Sequence, residues 1–261
     1  MRSLNIGATG MLAQQLNVEV ISNNIANMNT TGFKRHRAEF QDLLYQNLRR
    51  VGSASSDAGT IVPTGVQLGL GVKSAAIYRM SGQGNIMQTE NPLDLAINGR
   101  GFLMVELPTG ETAYTRAGSL QLSPDGDIVT ADGYIVQPGI TVPSDAVAIS
   151  VNESGEVYVD LDGQVAPVRV GQLELANFAN EAGLDAIGQN LLLETAASGT
   201  ASVATPGSAG FGRIVQGALE TSNVNVVSEI TSLITAQRAY EMNSKVIESS
   251  DEMMRTVTQL R

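Results

Sequence analysis

Beyond Gly217 the chain contains neither glycine nor proline, and that fact restricts its fold more than any other. In the same stretch Val226, Leu233, Tyr240, Ile247 and Met254 recur at steps of seven, while Ile230, Ile234, Val246 and Val257 widen the apolar face. Side chains at this spacing share one side of an α-helix, so the pattern predicts a helix over residues 226–260. At about 1.5 Å per residue it is roughly 50 Å long, more than the diameter of a small domain. Such a helix projects from a body and needs cover from another element.

The N-terminus mirrors this arrangement. Residues 3–29 lack proline and place their only glycines early, at Gly7 and Gly10. Leu4, Met11, Val18 and Ile25 step by seven, with Ile21 and Met28 on an adjacent row. The stretch SNNIANMNTTGFK crowds Asn23, Asn24, Asn27 and Asn29 between these apolar positions. Asparagine is an indifferent helix former because its amide competes for backbone hydrogen bonds. Gly32 stands where helices commonly exit through a residue at positive φ. The amides therefore read as the last turns of a helix whose polar groups need partners. Asn24 and Asn27 are candidates to bridge packed neighbours, where a satisfied polar network adds specificity. An intramolecular hairpin of the two helices explains the same apolar rows.

Between the ends the texture changes. Residues 51–71 and 195–213 are small and Gly/Ser-rich, the composition of linkers or extended crossings. They bracket a region punctuated by Asp125-Gly126, Asp132-Gly133, Ser154-Gly155 and Asp162-Gly163, turn dipeptides that separate short strand-like runs such as DIVT, YIVQ and EVYVDL. A further hairpin is expected around Pro108-Thr109-Gly110. The fold class read from this is α+β: long N- and C-terminal helices pairing as a coiled-coil-like layer, with an inserted, mainly antiparallel β domain built as a sandwich or open barrel. The expected division is a discontinuous helical assembly domain (1–45 and 216–261), an extended segment (46–70), a β domain (71–194) and a return linker (195–215).

Composition narrows the chemistry. The 261 residues include no cysteine and one histidine, so thiolate sites and His-based catalytic or metal clusters have no material to form from. The net charge of −10 is uneven: residues 1–50 carry six basic and three acidic groups, whereas residues 51–215 carry six basic and seventeen acidic. An acidic body excludes the broad basic footprint of nucleic-acid binding. Asp125, Asp127 and Asp132 lack calcium-loop spacing and fit turn chemistry. The run KRHR, Lys34 to Arg37, lies beside Glu39 and Asp42 and reads as a solvated or subunit-contacting face. NGRGF precedes a strand and is no phosphate loop. No catalytic residue, cofactor site or metal site is expected. The opening MRSLNIGATGMLAQQ lacks the regions of a cleaved secretory signal.

Three segments carry a resemblance: SNNIANMNTTGFKRHRAEFQDLLYQ, NPLDLAINGRGFLMVELPTGETAYTRAGSLQLSPDGDIVTADGYIV and LETSNVNVVSEITSLITAQRAYEMNSKVIESSDEMM. Together they resemble the signatures of the bacterial flagellar rod and hook proteins. Total length and the segment from about Gln46 to Gly65 are similar to those of members building the distal, straight part of the rod; the hook and proximal rod paralogues are the alternatives. The resemblance implies a structural subunit of the basal body, spanning the periplasm, that polymerises with itself into a helical tube and transmits torque. Implied partners are proximal rod proteins, the hook protein, periplasmic and outer-membrane ring proteins and the flagellar export apparatus, which passes the chain without a cleaved signal. Phe40 followed by Leu44 fits the short pattern of early export substrates. Leu4, Met11, Val18, Ile21, Asn24, Ile25, Asn27, Val226, Ile230, Leu233, Tyr240, Ile247 and Met254 would form the assembly interface. A different class, a wall-binding or peptidoglycan-modifying enzyme, lacks any nucleophile or metal site in this sequence.

Overall fold

The computed structural model describes residues 2–49, 64–164 and 166–259. The part of the expected extended segment at 50–63 therefore lies outside the described residues. Two long helices, α1 (Arg2–Ala26) and α2 (Val226–Gln259), flank a run of short strands whose pairings are all antiparallel where register is defined. The chain is thus α+β, with its helices at the two ends as the heptad rows require.

The fold divides into two compact units. One unit comprises Met1–Ile25, His36–Tyr78 and Val226–Arg261, and holds most of α1, all described residues of α2 and two strand pairs. In it, His36–Asp42 pairs with Val72–Arg79, and Tyr45–Arg49 with Val66–Gly69. The other unit comprises Ala26–Arg35 and Arg79–Asn225. Its largest sheet has nine strands. Phe102–Glu106 sits at the centre, bonded to Thr112–Thr115 on one side and shared by Ile135–Val136 and Leu175–Asn177 on the other. A three-stranded sheet follows in the order Ala146–Val151, Glu156–Leu161, Val168–Gln172.

The centre of this β unit explains its sequence. FLMV at Phe102–Val105 is apolar without alternation because both faces are buried. Leu103 and Val105 join Leu120, Ile128, Val157, Val159, Leu175 and Ile214 in the main core. Phe102 and Met104 face the opposite way, into a smaller cluster with Tyr114, Phe178 and Leu184. There Tyr114 and Phe178 meet edge to face, with centroids 4.8 Å apart, a favoured aromatic geometry. Few aromatics are needed because Val and Leu fill the rest.

The turn dipeptides fold as their chemistry dictates. Gly110, Gly126, Gly133, Gly155 and Gly163 all have φ between +79° and +90°, where a side chain is strained. Gly32 also lies at positive φ, +69°, six residues beyond the end of α1. Its amide bonds to the Glu220 carbonyl at 2.8 Å, and an added Cβ would strike the Arg116–Ala117 peptide. Close approach and backbone sign both demand glycine at this position.

Candidate assembly surface

Within the helical unit, α1 and α2 meet at both ends of a shared length and run antiparallel. Near the start of α1, a Cβ on Gly7 would lie 2.9 Å from Ile247 Cγ1, and one on Gly10 would lie 2.8 Å from Asn243 Nδ2. Near its end, Asn24 reaches Glu229. The early glycines are therefore points of close helix approach, not breaks in the helix.

Asn24 is wholly buried, and all of its amide's hydrogen-bonding atoms are used. Oδ1 accepts the His36 backbone N–H at 2.8 Å, and Nδ2 donates to the His36 carbonyl at 2.8 Å and to Glu229 Oε2 at 3.2 Å. One side chain thus ties the last turn of α1 to the following strand and to α2. Asn27 accepts a bond from the Thr30 hydroxyl at 3.1 Å in the turn beyond the helix.

The other residues anticipated from the heptad rows divide. Ile21 is buried, and Leu4, Met11, Val18, Ile25, Asn27, Val226, Leu233, Ile247 and Met254 are half-buried. Ile230 and Tyr240 are exposed at 45% and 42%. Sequence reasoning missed the second row of α2: Glu229, Ala236 and Ser250 are buried and Asn243 half-buried, at steps of seven and three residues after the apolar row. Their interleaved spacing was the available signal, but polar and small side chains hid it from a search for apolar positions.

Beyond this seam lie apolar side chains that the described residues leave uncovered. On α2 these are Val227, Ile230, Ile234, Met242, Val246 and Met253, with Val227 76% exposed. A groove of about 480 Å³ opens between the helices, lined by Gln15, Val18, Glu19, Gln237, Tyr240 and Glu241. The antiparallel strand pair Tyr45–Arg49/Val66–Gly69 bears exposed Tyr45, Leu48, Val66 and Leu68. Phe40 is half-buried, whereas Leu44 is 82% exposed. Of the KRHR run, Arg37 pairs with Glu39 at 2.8 Å and Lys34 with Glu220 at 2.6 Å, so the run is not a free basic patch. Among the described residues no cluster of three potential metal ligands occurs, and no helix is long and apolar enough to cross a membrane.

Terminal helices joined through a partly polar seam, apolar flanks left bare by the described residues and an intervening β unit are the features of a chain built to pack through its ends. Family profiles match it in three places: "Flagella basal body rod protein" over residues 4–34, "Flagellar hook protein FlgE/F/G D1 domain" over 96–159, and "Flagellar basal body rod FlgEFG protein C-terminal" over 215–260. The chain is 62% identical to the flagellar basal-body rod protein FlgG of Caulobacter vibrioides across the full length of both. It is 51% identical to that of Agrobacterium fabrum, over 99% of this chain and 98% of the relative, and 40% identical to that of Bacillus subtilis, over 100% and 99%. The chain belongs to the FlgG family of flagellar basal-body rod proteins. It is a structural subunit of the distal rod and not an enzyme.

Proposed function

We propose that this chain polymerises with copies of itself into a helical tube, a drive shaft that carries torque from the motor to the hook and encloses the export channel. Residues 1–45 and 216–261 serve as the assembly domain, their helices pairing in a coiled-coil-like inner layer. The β unit, read as a sandwich or open barrel, supplies the outer layer, with 46–70 as a connecting segment; 195–215, expected as a return linker, instead lends Ser202–Ala204 and Arg213–Gln216 to strand pairing within that unit. Contacts between copies are heterologous and do not close, so the assembly propagates.

The observation that carries this reading is the set of bare apolar side chains on α2. Burying one large apolar side chain contributes roughly 1.5–3 kcal/mol, and an exposed row of them marks a binding surface. Leu4, Met11, Val18, Ile21, Ile25, Leu233, Ile247 and Met254 hold the helices together, while Ile230 and Tyr240 face neighbouring copies. The tube spans the periplasm between proximal rod proteins and the hook protein, inside periplasmic and outer-membrane rings. Export precedes folding, so the half-burial of Phe40 does not prevent Phe40 and Leu44 from serving as an export signal.

Limited proteolysis before and after polymerisation tests the reading. Helices whose flanks lack cover gain most of their stability from packing. In dilute solution both ends should be trimmed, leaving a resistant fragment within the β unit; in the polymer the ends should survive. A dilute chain resistant throughout would show that the helices need no neighbours and would sink the proposal.

A further inference from the structure

Three charged side chains meet in the β unit, Arg116 and Glu220 buried and Lys34 mostly so, and neither the core nor the helix seam uses them. Glu220 is 1% exposed, and its carboxylate accepts from Lys34 Nζ at 2.6 Å, Arg116 Nε at 2.7 Å and the Gly84 amide at 2.8 Å. Arg116 also donates to the carbonyls of Gly101 at 3.0 Å and Gly99 at 2.6 Å. Lys34 donates to the Gly82 carbonyl at 2.9 Å. Asn223 extends the cluster: its Oδ1 accepts the Arg35 amide at 2.7 Å, and its Nδ2 donates to the carbonyls of Met80 and Gly82 at 3.0 and 2.8 Å.

The residues come from four separated segments: TTGFK after α1, the 80–84 stretch, TRAG where the Thr112–Thr115 strand ends, and LETSN before α2. Lys34 lies two residues before the strand that begins at His36, and Glu220 lies six residues before α2 begins. Backbone bonds run beside the charges, from the Gly32 amide to the Glu220 carbonyl and from the Asn223 amide to the Phe33 carbonyl. The segment leaving α1 and the segment leading into α2 are thereby held side by side. A cluster built only for β-unit stability has no need to recruit both of these roots. Two cations on one carboxylate are also a poor stability device, because burying an unmatched charge is costly.

We propose that Lys34, Glu220 and Asn223 form a clasp that positions the roots of the two terminal helices for polymerisation, with Arg116 anchoring it to the sheet. The clasp closes only when residues near 34 and near 220 are both present, so a chain emerging in either direction cannot present correctly rooted helices until nearly all of it is free. This role rests on the assembly reading given above. Lys34 and Asn223 are positioning residues that act through the helices they hold.

The test uses full-length chain and its Lys34→Met, Asn223→Ala and Lys34→Arg variants, assayed by seeded polymerisation, sedimentation and thermal melting of the β unit. Lys34→Met leaves a matched Arg116–Glu220 pair, so melting should stay close to the parent. Its critical concentration should nevertheless rise about tenfold or more, as expected when a charge-assisted bond that orders an interface is lost. Asn223→Ala should behave similarly, and Lys34→Arg should restore assembly. Lys34→Met polymerising at the parent's critical concentration overturns the clasp. So does a loss of assembly that only tracks a loss of melting temperature and is not restored by Lys34→Arg. Failure of the parent itself to polymerise is a different result: it removes the assembly reading, and the clasp's role with it.

Discussion

Replacing Glu220 by glutamine changes a carboxylate oxygen to an amide and leaves the shape almost intact. Lys34 and Arg116, with side chains 11% and 7% exposed, then face each other without a counter-charge. Removing one partner of a buried pair costs about 3–5 kcal/mol, and here one anion serves two cations, so the cost should sit in that range. Lys34→Met at the same cluster leaves Glu220 bonded to Arg116 and the Gly84 amide, and should cost no more than about 1.5 kcal/mol. For a domain of this size each kcal/mol moves Tm by about 2–4 °C, so Glu220→Gln should lower it by roughly 6–20 °C. Because the chain has no tryptophan, far-UV circular dichroism is the natural probe of the β-unit transition. The double variant Glu220→Gln/Lys34→Met should recover part of the loss, since only one cation then lacks a partner. Equal destabilisation by Glu220→Gln and Lys34→Met would refute the two-cation account.

The remaining expectations concern pH and the helix seam. Burial alone would push the Glu220 carboxyl up, but Arg116, the Lys34 and Arg116 hydrogen bonds and the Gly84 amide together hold it below the ordinary 4.5. Folding therefore gains from this charge above pH 4.5 and loses the gain as pH falls through the lower folded value; denaturant midpoints should drop there, and less so in Glu220→Gln. Burial, with Arg116 beside it, lowers the Lys34 pKa from 10.5, so the cost of its charge is fully present at neutral pH and is relieved as pH rises through the lowered value. Gly10→Leu should drive α1 from Asn243 and abolish seeded polymerisation while leaving β-unit melting unchanged. Asn24→Leu leaves the His36 peptide groups and the Glu229 carboxylate without the amide, and should cost the helical unit about 1–3 kcal/mol, measured at 222 nm.

Both terminal helices and five tight turns were legible in the sequence because they depend on interactions within a few residues. Heptad spacing and the absence of helix breakers sufficed for 226–259, and glycine's access to positive φ sufficed for Gly110, Gly126, Gly133, Gly155 and Gly163. The face that α2 turns inward was only half legible. Val226, Leu233, Ile247 and Met254 could be found by apolarity, but Glu229, Asn243 and Ser250 could not, since a polar residue is acceptable in a seam only when a partner waits across it. For Glu229 that partner is Asn24, some two hundred positions earlier in the chain. The charge cluster follows the same logic. Lys34 read as part of the KRHR run, a solvated or subunit-contacting face, while Arg116 and Glu220 stood out only as members of the segments that carry the family resemblance. Local preference determined each element from neighbouring residues alone. Only the tertiary structure decided which buried amide, carboxylate and cations meet, because a polar group's cost depends on the atoms brought to it from distant segments.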